Sequence, residues 1–376
     1  MIAKWRTVQL KDVLQPKGYI RGPFGSALKR GDMLDAGIPV YEQQHAIYGS
    51  RQFRFHVSEE KYAEMKRFAV QTGDIIISCS GTVGKVSIIT EDDPCGIISQ
   101  ALLLLRVNTE VIDPLFLCYF FRSYEGYNAI ISRSSGSVQV NISKREVIEQ
   151  IPLMLPDLQT QKSIVSILSS IDQKINSNAK INDNLQQQAQ AIYASMFIAN
   201  ADPAWTQGHL SDLITVKYGK DHKKLADGVY PVFGSGGIMR YVERPLYTGE
   251  SVLIPRKGTL NNVMYVNEPF WSVDTMFFTE MKVPNVAKFV FHFVKAKDLA
   301  SMNAGSAVQS MTTDILNALE LTIPSADRLA EFESAVAPIY QMMQVNRRES
   351  AKLAELRDML LPKLMAGTVN VSSIQI

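Results

Sequence analysis

The apolar pattern is most regular between Gln159 and Phe197. Ile164, Leu168, Ile171, Ile175, Asn178, Asn182, Leu185, Ala189, Ile192 and Met196 follow one another at alternating steps of four and three. This heptad spacing predicts one long helix that packs along a partner helix. No Pro or Gly interrupts the stretch, and Pro156 stops whatever precedes it. At about 1.5 Å per residue such a helix is roughly 60 Å long. Shifting each position by 168 gives Phe332, Val336, Ile339, Met343, Asn346, Ser350, Leu353, Arg357, Leu360 and Leu364, on a second predicted helix from Arg328 to Met365. A helix repeated at constant offset points to duplication of the whole chain.

The rest of the pattern repeats in step. Trp5 with Leu10 and Asp12 matches Trp205 with Leu210 and Asp212. A turn-rich region follows in each half, Gly22-Pro23-Phe24-Gly25-Ser26 and Tyr218-Gly219-Lys220. Next come short β-type runs, Ile38-Pro39-Val40-Tyr41 and Tyr230-Pro231-Val232-Phe233. Thr72-Gly73-Asp74 and Thr248-Gly249-Glu250 each feed a buried strand that ends in a Gly-Thr turn, Gly81-Thr82 and Gly258-Thr259. Ile98-Ser99-Gln100 is set against Trp271-Ser272-Val273, and the apolar helices 114–122 and 286–295 against each other. Ser135-Gly136-Ser137-Val138-Gln139 aligns with Gly305-Ser306-Ala307-Val308-Gln309, and 151–156 with 319–324. The expected fold is therefore mixed α/β, with two duplicated globules and an antiparallel pair of long helices about a pseudo-two-fold axis. The expected boundaries are 1–156 for the first globule, 157–200 for its helix, 201–324 for the second globule and 325–376 for its helix and tail.

Composition narrows the class. A hydrophobic share of 46% and a charged share of 20% fit an ordinary globular chain long enough for two cores. No apolar run reaches the length of a membrane span, and the opening residues lack a signal-peptide stretch. Cys79, Cys95 and Cys118 show no paired spacing, which suits reduced thiols in a cytoplasmic protein. A net charge of +2 means that nucleic-acid binding has to be argued from local clusters.

Four catalytic constellations were sought. Ser80-Gly81-Thr82-Val83-Gly84-Lys85 spaces its glycines too closely for a phosphate loop, and Val86 replaces the magnesium-binding hydroxyl. Phe233-Gly234-Ser235-Gly236-Gly237 lacks the parallel βαβ context of a cofactor loop. No tetrapeptide of the amino-methyltransferase kind occurs; Asp113-Pro114-Leu115-Phe116 reads as a helix N-cap followed by a first-turn Pro. His45, His56, His209, His222 and His292 show no metal-ligand spacing. Asp74 and Glu250 sit where they would cap backbone amides. No metal site and no catalytic site are expected.

Several segments carry a family resemblance. Tyr230-Pro231-Val232-Phe233-Gly234-Ser235-Gly236-Gly237-Ile238, Arg256-Lys257-Gly258-Thr259 and Phe270-Trp271-Ser272-Val273-Asp274-Thr275 look like the target-recognition signature of the specificity subunit of Type I restriction–modification systems. Ile164-Val165-Ser166-Ile167-Leu168-Ser169-Ser170-Ile171-Asp172 resembles that family's central helical region. One departure is Asn261-Asn262, where such a loop often has Gly-Asn. The resemblance implies a non-catalytic subunit in which each globule reads half of a bipartite double-stranded DNA site. It also implies that the helices hold the globules apart and dock two methyltransferase subunits. Restriction/translocase subunits would complete the assembly, and S-adenosylmethionine would be bound by the methyltransferase rather than by this chain. A recognition subunit of a related restriction enzyme outside Type I and a non-DNA scaffold are the alternatives.

Candidate DNA contacts follow from residue chemistry. Lys217, Lys220, Lys223 and Lys224 form a basic stretch in a predicted loop, suited to phosphates. Arg256 and Lys257 sit at a strand end near Asn261 and Asn262; Arg pairs bidentately with guanine, and Asn or Gln with adenine. Ser235 and Gln309 lie in the same repeated turns. The first-half counterparts are Gln43, Gln44 and His45 after the Pro39 strand, Lys85 after the glycine turn, and Gln139. In the helices, a polar residue at a core position costs stability but fixes register. A polar layer is expected in which Asn178 approaches Ser350 and Asn182 approaches Asn346.

Overall fold

The computed structural model describes residues 5–24, 27–134, 141–302, 310–369 and 371. The chain divides into two units, Met1–Ser177 with Glu349–Ile376, and Asn178–Arg348.

The first unit is built on a four-stranded antiparallel sheet in the order Leu14–Arg21, Leu102–Val107, Ile75–Ser78, Val86–Ile88. Ile75–Ile77 is an unbroken apolar run because both faces of the strand are covered: Ile75 and Ile77 enter one core cluster, Ile76 another. A smaller sheet orders His56–Val57, Ile38–Tyr41 and Ile97–Ile98, the last two strands parallel. Arg6–Gln9 pairs with Pro152–Leu155 just before the long helix begins. Helix Pro114–Arg122 starts as its sequence predicts: Asp113 accepts hydrogen bonds from the Leu115 and Phe116 amides, and Pro114 occupies the first turn.

The second unit repeats the sheet orders of this plan, without the short helices Gln43–Tyr48 and Glu59–Glu64 of the first. Its main sheet runs Ile214–Tyr218, Met276–Met281, Glu250–Pro255, Met264–Asn267, and its smaller sheet runs Gly237–Val242, Asp227–Gly234, Trp271–Ser272. Thr206–His209 pairs with Glu320–Ile323. One register in the sequence alignment needs correction. Val40 faces Ile97 in the first unit and Val232 faces Trp271 in the second, so Ile97, not Ile98, is the counterpart of Trp271. Ile97 and Ile98 are equally apolar, and only the parallel pairing across the sheet selects between them.

The long helices span Leu158–Ala194, followed by a π-helical turn at Ser195–Ala199, and Ala326–Met365. Their first residues differ by the same 168 that relates the two stripes. Each unit holds part of both helices, running antiparallel. In the first unit Ile164, Val165 and Leu168 pack with Leu361, Leu364 and Met365. Asp172 accepts from Arg357 at 2.9 Å and from the Tyr119 hydroxyl at 2.8 Å, tying both helices to the globule. In the second unit Ala189, Tyr193 and Met196 pack with Leu329, Phe332, Val336 and Tyr340. Burying side chains of this size stabilises by about 1.5–3 kcal/mol each.

The ion pairs near the sheets differ between units. Asp74 accepts from the Gln71 amide, the capping role its turn position predicts, and also pairs with Arg106 at 2.7 Å. Among the described residues Glu250 caps no amide; it accepts from Lys288 and from the Tyr265 hydroxyl instead. Burial alone would raise the Glu250 carboxyl, but these two hydrogen bonds outweigh it and hold the group below its ordinary range.

Candidate nucleic-acid interface

In each unit the same backbone segments converge at one end of the main sheet. In the second unit Ile214–Tyr218 ends there, and the Gly219 amide donates to the Met276 carbonyl. A Cβ on Gly219 would lie 2.0 Å from the Val273 carbonyl oxygen, so glycine is required for the approach. Beside it Arg256 leaves its strand, its amide donating to the Thr275 carbonyl and its own carbonyl accepting from Met311. Lys257 bridges to Ser310. The turn then meets the hairpin tip: Gly258 has φ +81° and its α-carbon faces the Ser235 hydroxyl, while Asn262 donates to the Ser235 carbonyl at 2.8 Å. Strand end 218–220, turn 256–262, hairpin tip 234–237 and the segment from Ser310 therefore form one rim.

The first unit builds that rim from different side chains on the same hydrogen bonds. The Gly22 amide donates to the Leu102 carbonyl, and a Cβ on Gly22 would again strike a carbonyl, that of Ser99 at 2.0 Å. The Cys79 amide donates to Ala101 and its carbonyl accepts from Ile142, as Arg256 does with Thr275 and Met311. Ser80 bridges to Asn141, the counterpart of Lys257 and Ser310. Gln43 opens the short helix that stands where the second unit has its hairpin tip, and its side-chain oxygen accepts from the Cys79 and Ser80 amides at 3.2 and 2.9 Å. Burial pushes the Cys79 thiol up to about 12, against the pull of the Arg21 guanidinium, which hydrogen-bonds toward it.

The residues picked out in the sequence fall into three groups. Lys220, Lys223, Lys224 and Lys257 are exposed, and among the described residues no carboxylate lies within 4 Å of them. Arg256 is partly exposed, its guanidinium 5.3 Å from the Tyr218 ring centre and 3.4 Å from the Asp274 carbonyl. Ser235 joins them at the hairpin tip. A second group is engaged within the protein. Lys217 belongs to a strand, not a loop, and faces Glu280 at 3.5 Å. Asn261 donates to Asp298 and accepts from the Ala300 amide; its hydrogen bond holds the Asp298 carboxyl below its ordinary range. Asn262 and Gln43 brace the turns as described, and Gln44 lies 3.5 Å from Glu42. His45 is buried in the short helix Gln43–Tyr48, its ring nitrogens satisfied by the Glu42 amide and the Gln52 carbonyl. The sequence placed it after a strand, where exposure was natural; the helix turns it inward. Lys85 lies 4.5 Å from the Tyr127 ring centre. Gln139 and Gln309 lie outside the described residues.

The helix asparagines occupy the interior of the second unit. Asn346 donates to the Asn182 side-chain oxygen at 2.9 Å, Asn182 donates to the Met343 carbonyl at 3.2 Å, and Asn178 donates to the Asn346 carbonyl at 3.4 Å. Ser350 belongs to the first unit. At the same rim stand Arg21 and Tyr218, which charge patterning alone does not single out as base contacts. The available signal is their place immediately before the required glycines, Gly22 and Gly219. Among the described residues no cluster of three His, Cys, Asp or Glu is placed to hold a metal ion. No helix among them is long and apolar enough to cross a membrane.

Comparison with known proteins gives this geometry a context. A family model described as the Type I restriction modification DNA specificity domain matches residues 3–187 and 204–329, once in each half. The Type I restriction enzyme HindI specificity subunit of Haemophilus influenzae is 21% identical, over 80% of this chain and 87% of that protein. The MjaVIII specificity subunit of Methanocaldococcus jannaschii is 20% identical, over 98% and 94%. The crystal structure of a Type I restriction–modification S subunit from M. genitalium superposes with a TM-score of 0.61 at 17% identity, covering 96% of each chain, which shows a shared fold. The duplicated architecture and a family match in both halves establish that the chain belongs to the Type I restriction modification DNA specificity family.

Proposed function

We propose that the chain is the DNA-recognition subunit of a Type I restriction–modification complex and that each globular domain reads one half of a bipartite site. The observation that carries this reading is the repeated rim. Two copies of one fold keep the backbone hydrogen bonds, the glycine approach and the strand ends, yet change the side chains at those ends: Ser80 and Asn141 in one, Lys257 and Ser310 in the other. A shared scaffold with different polar groups is what reading two different half-sites requires. The free cations Lys220, Lys223, Lys224 and Lys257 suit phosphate contacts, which fix position without reading sequence.

The chain supplies no catalytic group in this reading. Methyl transfer belongs to two partner methyltransferase subunits that bind S-adenosylmethionine, and cleavage to restriction/translocase subunits, all in the cytoplasm. The helices set the spacer and offer apolar side chains to the partners: Ile181, Met342 and Val345 are exposed in the second unit, Leu356 and Met359 in the first. Binding of the assembled complex to its cognate duplex tests the assignment. Arg256→Ala and Lys257→Ala together should weaken it at least tenfold; unchanged binding removes these residues from the interface.

A further inference from the structure

The two units each place a guanidinium at the same end of the main sheet, but from different strands, one on either side of an intervening strand. Arg21 pairs with Leu103, which pairs with Ile77, two residues before Cys79. Tyr218 pairs with Phe277, which pairs with Ile254, two residues before Arg256. Arg21 thus corresponds to Tyr218, and Cys79 to Arg256. Residues paired in register across successive strands share a sheet face, and each couple meets across the intervening strand at the rim, the Arg21 guanidinium beside the Cys79 thiol and Arg256 over the Tyr218 ring. The arginine has exchanged strands between the two halves. Each is also set against an aromatic ring: Arg256 lies 5.3 Å from the Tyr218 centre, and Arg21 5.7 Å from that of Phe24, which is itself exposed.

Resting on the DNA-recognition reading above, we propose that Arg21 and Arg256 are the matched guanine readers of this protein, one in each half-site. Stacking against Phe24 or Tyr218 fixes the guanidinium plane, and a fixed plane presents two parallel N–H donors to the O6 and N7 acceptors of guanine. Neither fork is spent on a carboxylate. Among the described residues neither arginine has a carboxylate within 4 Å, Nη1 of Arg21 is buried without a hydrogen-bond partner, and Nη1 of Arg256 makes one long contact to a carbonyl. By contrast Arg51 and Arg106, elsewhere in the first unit, are saturated by Asp93 and Asp74.

The test is the methylated motif written by the intact system on genomic DNA of an otherwise unmethylated host, read by long-read sequencing. Wild type should write a motif with a guanine in each half. Arg256→Ala should relax one guanine in one half only, and Arg21→Ala one guanine in the other half only, each losing about five- to 150-fold discrimination at that position. Arg21→Lys and Arg256→Lys keep the charge but not the fork, and should relax the same positions; they carry the test if the alanine variants do not fold. An unchanged motif with uniformly lower methylation would make these residues phosphate contacts and overturn the assignment. So would relaxation of the same half-site by both, a half-site without guanine, or abolished methylation in a lysine variant that unfolds at the wild-type temperature. Absence of any bipartite motif in the wild type would instead overturn the DNA-recognition reading itself.

Discussion

Lys288 ties the second globule to the helix pair by a cation held almost out of water. It is 3% exposed; its ammonium lies 2.8 Å from Glu250, at the start of a sheet strand, and 2.6 Å from Glu333, on the C-terminal helix. The Tyr265 and Tyr340 rings flank it at 5.1 and 5.6 Å. Lys288→Met keeps the apolar stem and removes the charge, leaving two carboxylates facing one another without a cation. Removing one member of a buried ion pair costs about 3–5 kcal/mol. Here Glu250 and Glu333 keep side-chain exposures of 32% and 22%, so water recovers part of the loss and the low end, about 3 kcal/mol, applies. For a unit of this size that is a fall of about 6–12 °C in its unfolding temperature. Calorimetry, with hydrogen exchange of strand Glu250–Pro255 to assign the transition, measures it. Adding Glu250→Gln and Glu333→Gln to Lys288→Met should restore most of the loss. A fall under about 2 °C, or no recovery in the triple variant, would refute the claim that this cation joins sheet to helix.

Other consequences can be checked separately. His292 sits between Gln190, which accepts from Nδ1 at 2.7 Å, and the Tyr340 hydroxyl, which donates to Nε2 at 2.9 Å; burial lowers its pKa from 6.5 to about 4. The unfolded chain binds the proton first, so the second unit should lose stability as pH falls from about 6.5 towards 4, and His292→Gln should flatten that slope in pH-dependent unfolding. Replacing Lys220, Lys223 and Lys224 with Ala should leave the motif unchanged while reducing the slope of log affinity against log salt by about 3. Asn346→Leu should cost about 1–3 kcal/mol by leaving the Asn182 oxygen without its donor, and Asn182→Leu with Asn346→Leu should recover it in denaturant unfolding.

Periodicity and local chemistry made much of this architecture legible in the chain. The stripe from Ile164 to Met196 and its copy 168 residues later predicted two helices, and the helices begin at Leu158 and Ala326 with that same offset. Heptad spacing is a property of one helix face, so it can be read without knowing the partner. The duplicated order of turns and strands was legible for the same reason, since Gly and Pro punctuate locally. Tertiary structure decided what depends on distant pairings. It chose Ile97 over Ile98 as the counterpart of Trp271, turned His45 into the core, put Lys217 on a strand beside Glu280, and spent Asn261, Asn262 and Gln43 on bracing turns. It also set Arg21 in the first unit and Arg256 in the second at the equivalent rim of each, from different strands. Whether a polar side chain is free for a ligand depends on which backbone amide or carboxylate lies opposite it, and for Lys217, Asn261, Asn262 and Gln43 that partner comes from more than two dozen residues away.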